Sequence, residues 1–482
     1  MKLYKRYLIY VLTFLLFFIN NASFAYAQGS LDTEEPSSAE QTSDGSSYWP
    51  KTPSISSESA IVMEASTGLI LYEKNGHKLQ YPASTTKIMT ALLALENSSL
   101  TDTVTFSRDA IFNIDINSSR TGIDVGEELT LEQCLYCVLL DSANEVSYAV
   151  AEHVGGTYDN FVAMMNEKAQ ELGCLNTNFA NPHGLYEDNH YTTAYDMALI
   201  AQAAIKNTTF AKITGARTYQ IPPTNIQSET RYLANHHLFI KRDIHYDGVT
   251  GGKTGYTQKA RYSLVTYAKR GDMELIAVIM KCDSPTEQYT DTAKLLDYGF
   301  DNFSIYNISD LEHEKASNNS SLFTKYSKFL NKDSSLLTTG SMGYLVLPNT
   351  VNYEDAQKEI TLTPISNVKL GENVIGTISY TYDGKLVGST DIIYNNVSTN
   401  SLKESDAIKI IKEYSNGSSN NVTLVGEKNL KPIIIAVILG IIVILALLYY
   451  FFVERPRIKR RKAYYEKRRL HRLYSDKDIF NR

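Results

Sequence analysis

The feature that most constrains this chain is the run Pro432–Val453, PIIIAVILGIIVILALLYYFFV, twenty-two residues without a charge. Inside a hydrocarbon layer every backbone polar group must bond internally, so a run of this length and composition predicts one transmembrane helix. Directly after it stand Arg455, Arg457, Lys459, Arg460, Arg461 and Lys462, a basic flank that predicts the cytoplasmic side for the tail, residues 454–482. The other end agrees. Met1–Arg6 is basic, Leu8–Ile19 is apolar but too short to span, and Ala25-Tyr26-Ala27 is a small-x-small site, so residues 1–27 read as a secretory signal peptide. The expectation is a single-pass protein of the cell membrane, its folded part extracytoplasmic and its C-terminus cytoplasmic.

This topology divides the charge. The tail carries +8 and the leader +3, so the stretch 28–431 carries −17 of a chain whose net charge is −6. An acidic ectodomain does not suit nucleic acid or anionic lipid as a partner, whereas the basic tail suits lipid headgroups. The four cysteines, Cys134, Cys137, Cys174 and Cys282, allow three disulfide pairings, and the sequence does not choose among them. Cys134-x-x-Cys137 lacks a second pair or histidines at ligand spacing, so small buried thiols are favoured over a zinc or redox site, and no metal or other cofactor is called for.

Residues 28–52 are polar and read as a flexible linker. Apolar patterning then runs through 53–305. It opens with the hairpin SAIVMEASTGLILYEK and closes with RYSLVTYAKRGDMELIAVIMK, with helical segments between, which predicts an α+β domain in which an antiparallel sheet is flanked by helices. Short strands around an Asp383-Gly384 turn predict a small all-β domain over 338–396, and 397–431 reads as a spacer to the membrane.

Three segments carry chemistry. In DGVTGGKTGYT, Asp247 stands where a phosphate-binding loop needs its first glycine, so Lys253 and Thr254 suit an anion other than a nucleotide phosphate, such as a carboxylate. In YPASTTKIMTALLALE, Ser84 and Lys87 share one face at the start of a buried helix, where a desolvated amine can take the serine proton. In TLEQCLYCVLLDSANEVSYAVAEHV, Thr130 with Gln133 and Ser142 with Glu145 have capping-box spacing, which displays Ser142 and Asn144 at a helix start. Capping alone also accounts for Ser142, and a solvated lysine for Lys87, when each segment is taken singly.

Together, and in this order, Ser-x-x-Lys, Ser-x-Asn and Lys-Thr-Gly resemble the penicillin-recognising serine peptidases and β-lactamases. PASTTKIMTALLALE, NPHGLYEDNHYTTAYDMA and DGVTGGKTGYT resemble the low-molecular-weight D-alanyl-D-alanine carboxypeptidases, peptidase family S11. The resemblance implies a β-lactamase/transpeptidase-like fold, a peptidoglycan stem peptide as substrate and β-lactams as inhibitors. It implies Ser84 as nucleophile, Lys87 as base and Ser142 as proton relay. Asn144, Lys253 and Thr254 would bind substrate, and the backbone N–H groups of Ser84 and Tyr256 would form the oxyanion hole. Ala143 and Arg261 stand where the family usually has glycine, and Arg261 is expected to narrow the cleft or alter substrate preference. His183 and His190 are read as loop-holding residues. The alternatives are a D,D-endopeptidase acting on cross-links, a β-lactamase, or a wall-binding protein without activity.

Overall fold

The structure, a computed structural model, describes residues 49–317, 337–341, 343–362, 369–396 and 421–424, with 455–457, 463 and 466 near the C-terminus. Among them no helix is long and apolar enough to cross a membrane. The expected signal peptide and the span 432–453 lie outside the described residues, as does nearly all of the tail.

A five-stranded antiparallel sheet organises the first part. Its order is Ile70–Lys74, Ser59–Glu64, Met273–Cys282, Arg261–Arg270 and Val249–Thr257, so that the last of these is an edge strand. Both faces of the sheet are covered. Ile61, Met63, Val265, Tyr267, Ile276 and Val278 face the helical side, while Ala60, Val62, Leu264, Ala268, Leu275 and Ala277 face the other. That is why these strands read as continuous apolar runs in the sequence rather than as alternation. The Ser59–Glu64 hairpin turns where expected, because the Glu64 carboxylate accepts from the backbone N–H groups of Ser66 (3.1 Å) and Thr67 (2.8 Å) and Gly68 takes φ +73°.

Helix Lys87–Asn97 lies at the centre of the helical layer, with every residue from Lys87 to Ala94 buried. This accounts for the lack of charge from Ile88 to Leu95. Leu131–Leu139 starts at the expected capping box, Thr130 with Gln133. The four cysteines are buried and unpaired, and burial raises the thiol pKa of Cys134 and Cys174.

The second sheet runs Phe303–Asn307, Tyr344–Pro348, Lys385–Asn396, Gly371–Tyr382, Gln357–Leu362 and Asn421–Leu424, with Leu337–Thr339 added beside Lys385–Asn396. Three features differ from the sequence expectation. The sheet draws on residues before the expected 338–396 unit: strand Phe303–Asn307 is followed by helix Ile308–Ser317, started by the Asn307 side chain accepting from Ser309 N at 2.8 Å. Its Glu312 reaches across to accept from Lys358 Nζ at 2.6 Å and Tyr380 Oη at 2.7 Å. Asn421–Leu424, within the expected spacer, pairs in parallel with Gln357–Leu362. Trp49, within the expected linker, packs its ring 5.8 Å from Phe303 and 6.4 Å from Tyr382, so this residue is fastened to the second sheet.

Candidate active site

Ser84 sits in a single 3₁₀ turn, Ala83–Thr86, and the α-helix begins only at Lys87. In a 3₁₀ turn residues i and i+3 eclipse, which stacks the lysine amine directly over the hydroxyl. Lys87 Nζ lies 3.0 Å from Ser84 Oγ. The turn is strained and then locked. Ala83, immediately before the serine, has φ +51°, a left-handed conformation unfavourable to any residue with a Cβ. The Thr86 hydroxyl donates to Ala83 O at 2.8 Å and lies 2.9 Å from His190 Nε2. His190 Nδ1 accepts from Ala180 N at 3.0 Å, so its proton is on Nε2 and the chain of donors runs from His190 through Thr86 to Ala83. Burial holds His190 neutral, with a pKa of about 3. Gly184 closes the back of the turn: a Cβ there would stand 1.9 Å from Ala83 O.

The Lys87 amine is fully enclosed. Besides Ser84 it donates to Asn144 Oδ1 and to His183 O, both at 2.6 Å. Its pKa is driven well below the usual lysine value, first by burial and then by the positive charge of Lys253, while Glu145 opposes the shift. His183 thus enters the site through its backbone carbonyl; its ring accepts from Leu185 N at 3.2 Å, a loop-holding contact.

Ser142 is not a helix cap. It has φ +61°, the cap position is Ala143, and helix Asn144–Gly155 starts without a side-chain cap. The Ser142–Glu145 capping box of the sequence reading is therefore absent. Glu145 is drawn away to the backbone N–H groups of Thr121 and Gly122, two donors that outweigh one local cap. The freed Ser142 hydroxyl accepts from Lys253 Nζ at 3.1 Å. Lys253 is also buried, donates to Thr254 O at 2.9 Å, and has its pKa lowered to about 7 by burial, with Asp141 pulling the other way.

Lys253 comes from the edge strand Val249–Thr257. At Gly252 the open side of that strand is closed by Thr214, whose hydroxyl donates to Gly252 O (2.7 Å) and accepts from Gly252 N (3.1 Å). At Gly255 the strand meets the serine turn: a Cβ there would lie 3.0 Å from Ser84 N and 3.1 Å from Pro82 O, so a side chain would push the two apart. Thr254 is half-buried beside it. Tyr256 is exposed and its ring lies 4.6 Å from that of Tyr262. Arg261 takes φ +56°, the reason a glycine suits this position, and its guanidinium turns to Asp283 (Nε to Oδ1 2.9 Å).

The structure thus gathers the site as two hydrogen-bonded sets, Ser84–Lys87–Asn144 and Ser142–Lys253, joined through the chain at Ser142–Asn144, with Thr254 and Tyr256 on the strand edge beside Lys253. Sequence reading missed the positioning contacts of Thr86, Gly184 and Glu145. Of these only Gly184, in NPHGL, left a signal, as a lone glycine in a polar loop. Among the described residues no group of three or more His, Cys, Asp and Glu is placed to hold a metal ion.

A mixed α/β fold in which a half-buried serine, paired with a buried lysine, opens onto the edge of an antiparallel sheet belongs to the serine-type hydrolases. The profile of the D-alanyl-D-alanine carboxypeptidase family matches residues 47–284. D-alanyl-D-alanine carboxypeptidase DacF of Bacillus subtilis is 38% identical over 254 residues, which are 52% of this chain and 63% of that protein. DacA of Haemophilus influenzae is 30% identical over 353 residues, 70% of this chain and 84% of that protein. The solved D-alanyl-D-alanine carboxypeptidase of Mycobacterium tuberculosis is 32% identical, with a TM-score of 0.48, and the match covers 52% of this chain and 93% of that one. This chain belongs to the D-alanyl-D-alanine carboxypeptidase family.

Proposed function

We propose that the chain removes the terminal D-alanine from peptidoglycan stem peptides through an acyl-enzyme on Ser84, and that penicillins acylate the same hydroxyl. The observation that carries this reading is the enclosure of Lys87. In its neutral form the amine keeps two N–H bonds, to Asn144 Oδ1 and His183 O, and its lone pair is left facing Ser84 Oγ at 3.0 Å. The hydroxyl proton passes to Lys87 Nζ as Oγ attacks the carbonyl carbon of the scissile peptide. The developing oxyanion falls to the backbone N–H groups of Ser84 and Tyr256, on the two segments that Gly255 lets approach.

As the tetrahedral centre collapses, the proton that Lys87 took from Ser84 is relayed through the Ser142 hydroxyl to the leaving nitrogen, free D-alanine departs, and Lys87 is neutral again. The ester is then hydrolysed: water gives a proton to Lys87, its oxygen forms the new carboxylate, and Ser84 regains its hydrogen. An extended peptide can lie along the edge of Val249–Thr257 past Gly252, at residues 253–257, as an added strand, with its terminal carboxylate at Lys253 and Thr254 and the acyl peptide held by Asn144. The acidic ectodomain and the run Pro432–Val453 with its basic flank support a single membrane span, with the catalytic unit outside and the tail within.

The test uses the full-length chain in detergent and a peptide ending in D-Ala-D-Ala. Release of D-alanine that vanishes in Ser84→Ala is the expected result. Acylation by labelled penicillin without release would replace this substrate with cross-linked peptides, and the absence of both release and acylation would overturn the hydrolase reading of the site.

A further inference from the structure

Glu145 is wholly buried beside the gathered residues, and the chemistry above leaves it without a task. It follows Asn144 directly. Its Oε1 accepts from Thr121 N at 2.7 Å and Gly122 N at 3.1 Å, while Oε2, sealed from solvent, has no hydrogen-bond partner among the described residues. Two further contacts join the same two segments: Asn144 N donates to Ser119 O at 2.9 Å, and Thr121 Oγ1 donates to Asp141 Oδ2 at 3.0 Å. Outside the site Arg231 Nη2 holds Gly122 O at 3.0 Å. The strip 119–122 is therefore latched to the turn that carries Ser142 and Asn144, and Glu145 makes two of the four bonds of the latch.

We propose that Glu145 is a positioning residue for acyl transfer, one that latches strip 119–122 against the Ser142–Asn144 turn and sets a negative charge beside the buried Lys87 amine. The proposal rests on the reading of Ser84 and Lys87 given above. An unpaired carboxylate oxygen is costly in an apolar interior, and a latch alone does not require it, since an amide would serve as well. What the second oxygen supplies is field. The groups that face Lys87 are Lys253 from the edge strand, the imidazoles of His183 and His190 from the loop behind the serine turn, and Glu145 from the helix; Glu145 alone among these is acidic. Glu145 itself faces Lys87, Arg120 and the Cys137 thiol. Burial raises its pKa, while the backbone donors and Arg120 draw it back toward the charged form.

The sign follows. A negative Glu145 favours protonated Lys87, so it holds the acid limb of acylation at a higher pH than Lys87 and Lys253 alone would set. This keeps the base from being so depressed that it loses its affinity for the serine proton.

Two variants separate field from latch. Glu145→Gln keeps an acceptor for Thr121 and Gly122 and removes the charge; Glu145→Ala removes both. Acylation of full-length protein by labelled penicillin is followed across pH, beside deacylation and thermal melting, with Ser84→Ala as blank. The expected result for Glu145→Gln is an acid limb moved to lower pH by about half a unit or more. For Glu145→Ala both acylation and deacylation should slow about tenfold to a hundredfold at every pH, from misplaced Ser142 and Asn144. An unmoved acid limb in a folded Glu145→Gln protein overturns the charge role, and wild-type rates in Glu145→Ala overturn the latch. Wild-type protein that acylates no faster than the Ser84→Ala blank would instead overturn the reading of the site on which the proposal stands.

Discussion

The serine turn, Ala83–Lys87, and the edge strand, Val249–Thr257, each carry a lysine with almost no exposed surface, yet they use burial differently. Lys87 ends among three acceptors that fix its direction, and burial first, then the like charge of Lys253, drives its pKa well below the ordinary range. Lys253 has two acceptors and the help of Asp141, and its pKa settles at about 7. The same desolvation thus makes one lysine a base and leaves the other a cation near neutrality. What a buried lysine does is decided by the second charge in its neighbourhood.

The largest break in this comparison should come from Lys87→Met. Losing the base is expected to slow penicillin acylation about a thousandfold or more, measured by gel fluorescence against time, whereas Lys253→Met should act mainly on peptide KM. Next is Gly184→Ala, which never touches substrate. Its Cβ would meet Ala83 O at 1.9 Å with φ held at +84°, so the serine turn must move, and an expected loss of about 3 kcal/mol should appear in thermal or urea unfolding.

Third is pH. On the proposed reading Lys253 binds the substrate carboxylate only when protonated, and burial has lowered its pKa to about 7. Peptide kcat/KM is therefore expected to fall about tenfold per pH unit above that pKa, chiefly through KM. The smallest effect is expected of Arg261→Gly. Relief of φ +56° should add roughly 0.5–1 kcal/mol, partly offset by the lost surface contact with Asp283, with activity unchanged.

The two regions also differ in how far the sequence revealed them. Ser84, Lys87, Ser142, Asn144 and Lys253 stood in three short motifs, and the strands that bring Lys253 to the turn were legible from their apolar runs. What the sequence concealed was tertiary. Glu145 matched a local capping box and went instead to Thr121 and Gly122, because two backbone donors from a distant strip are worth more than one cap. The 3₁₀ turn left no periodic mark, since four residues are too few. Helix Ile308–Ser317 offered only Ile308 and Leu311 as apolar positions, and it is held from the far side by Lys358 and Tyr380 through Glu312. Arg261 could be recognised as standing in a glycine position, but not as turning to Asp283.

The most direct test of the account is intact-mass and peptide mass spectrometry of the full-length chain after brief exposure to penicillin. One adduct per chain is expected, on the peptide that contains Ser84, absent from Ser84→Ala and strongly delayed in Lys87→Met. An adduct on any other residue, or equal labelling of Lys87→Met and wild type, would contradict the claim that the enclosed lysine activates this serine.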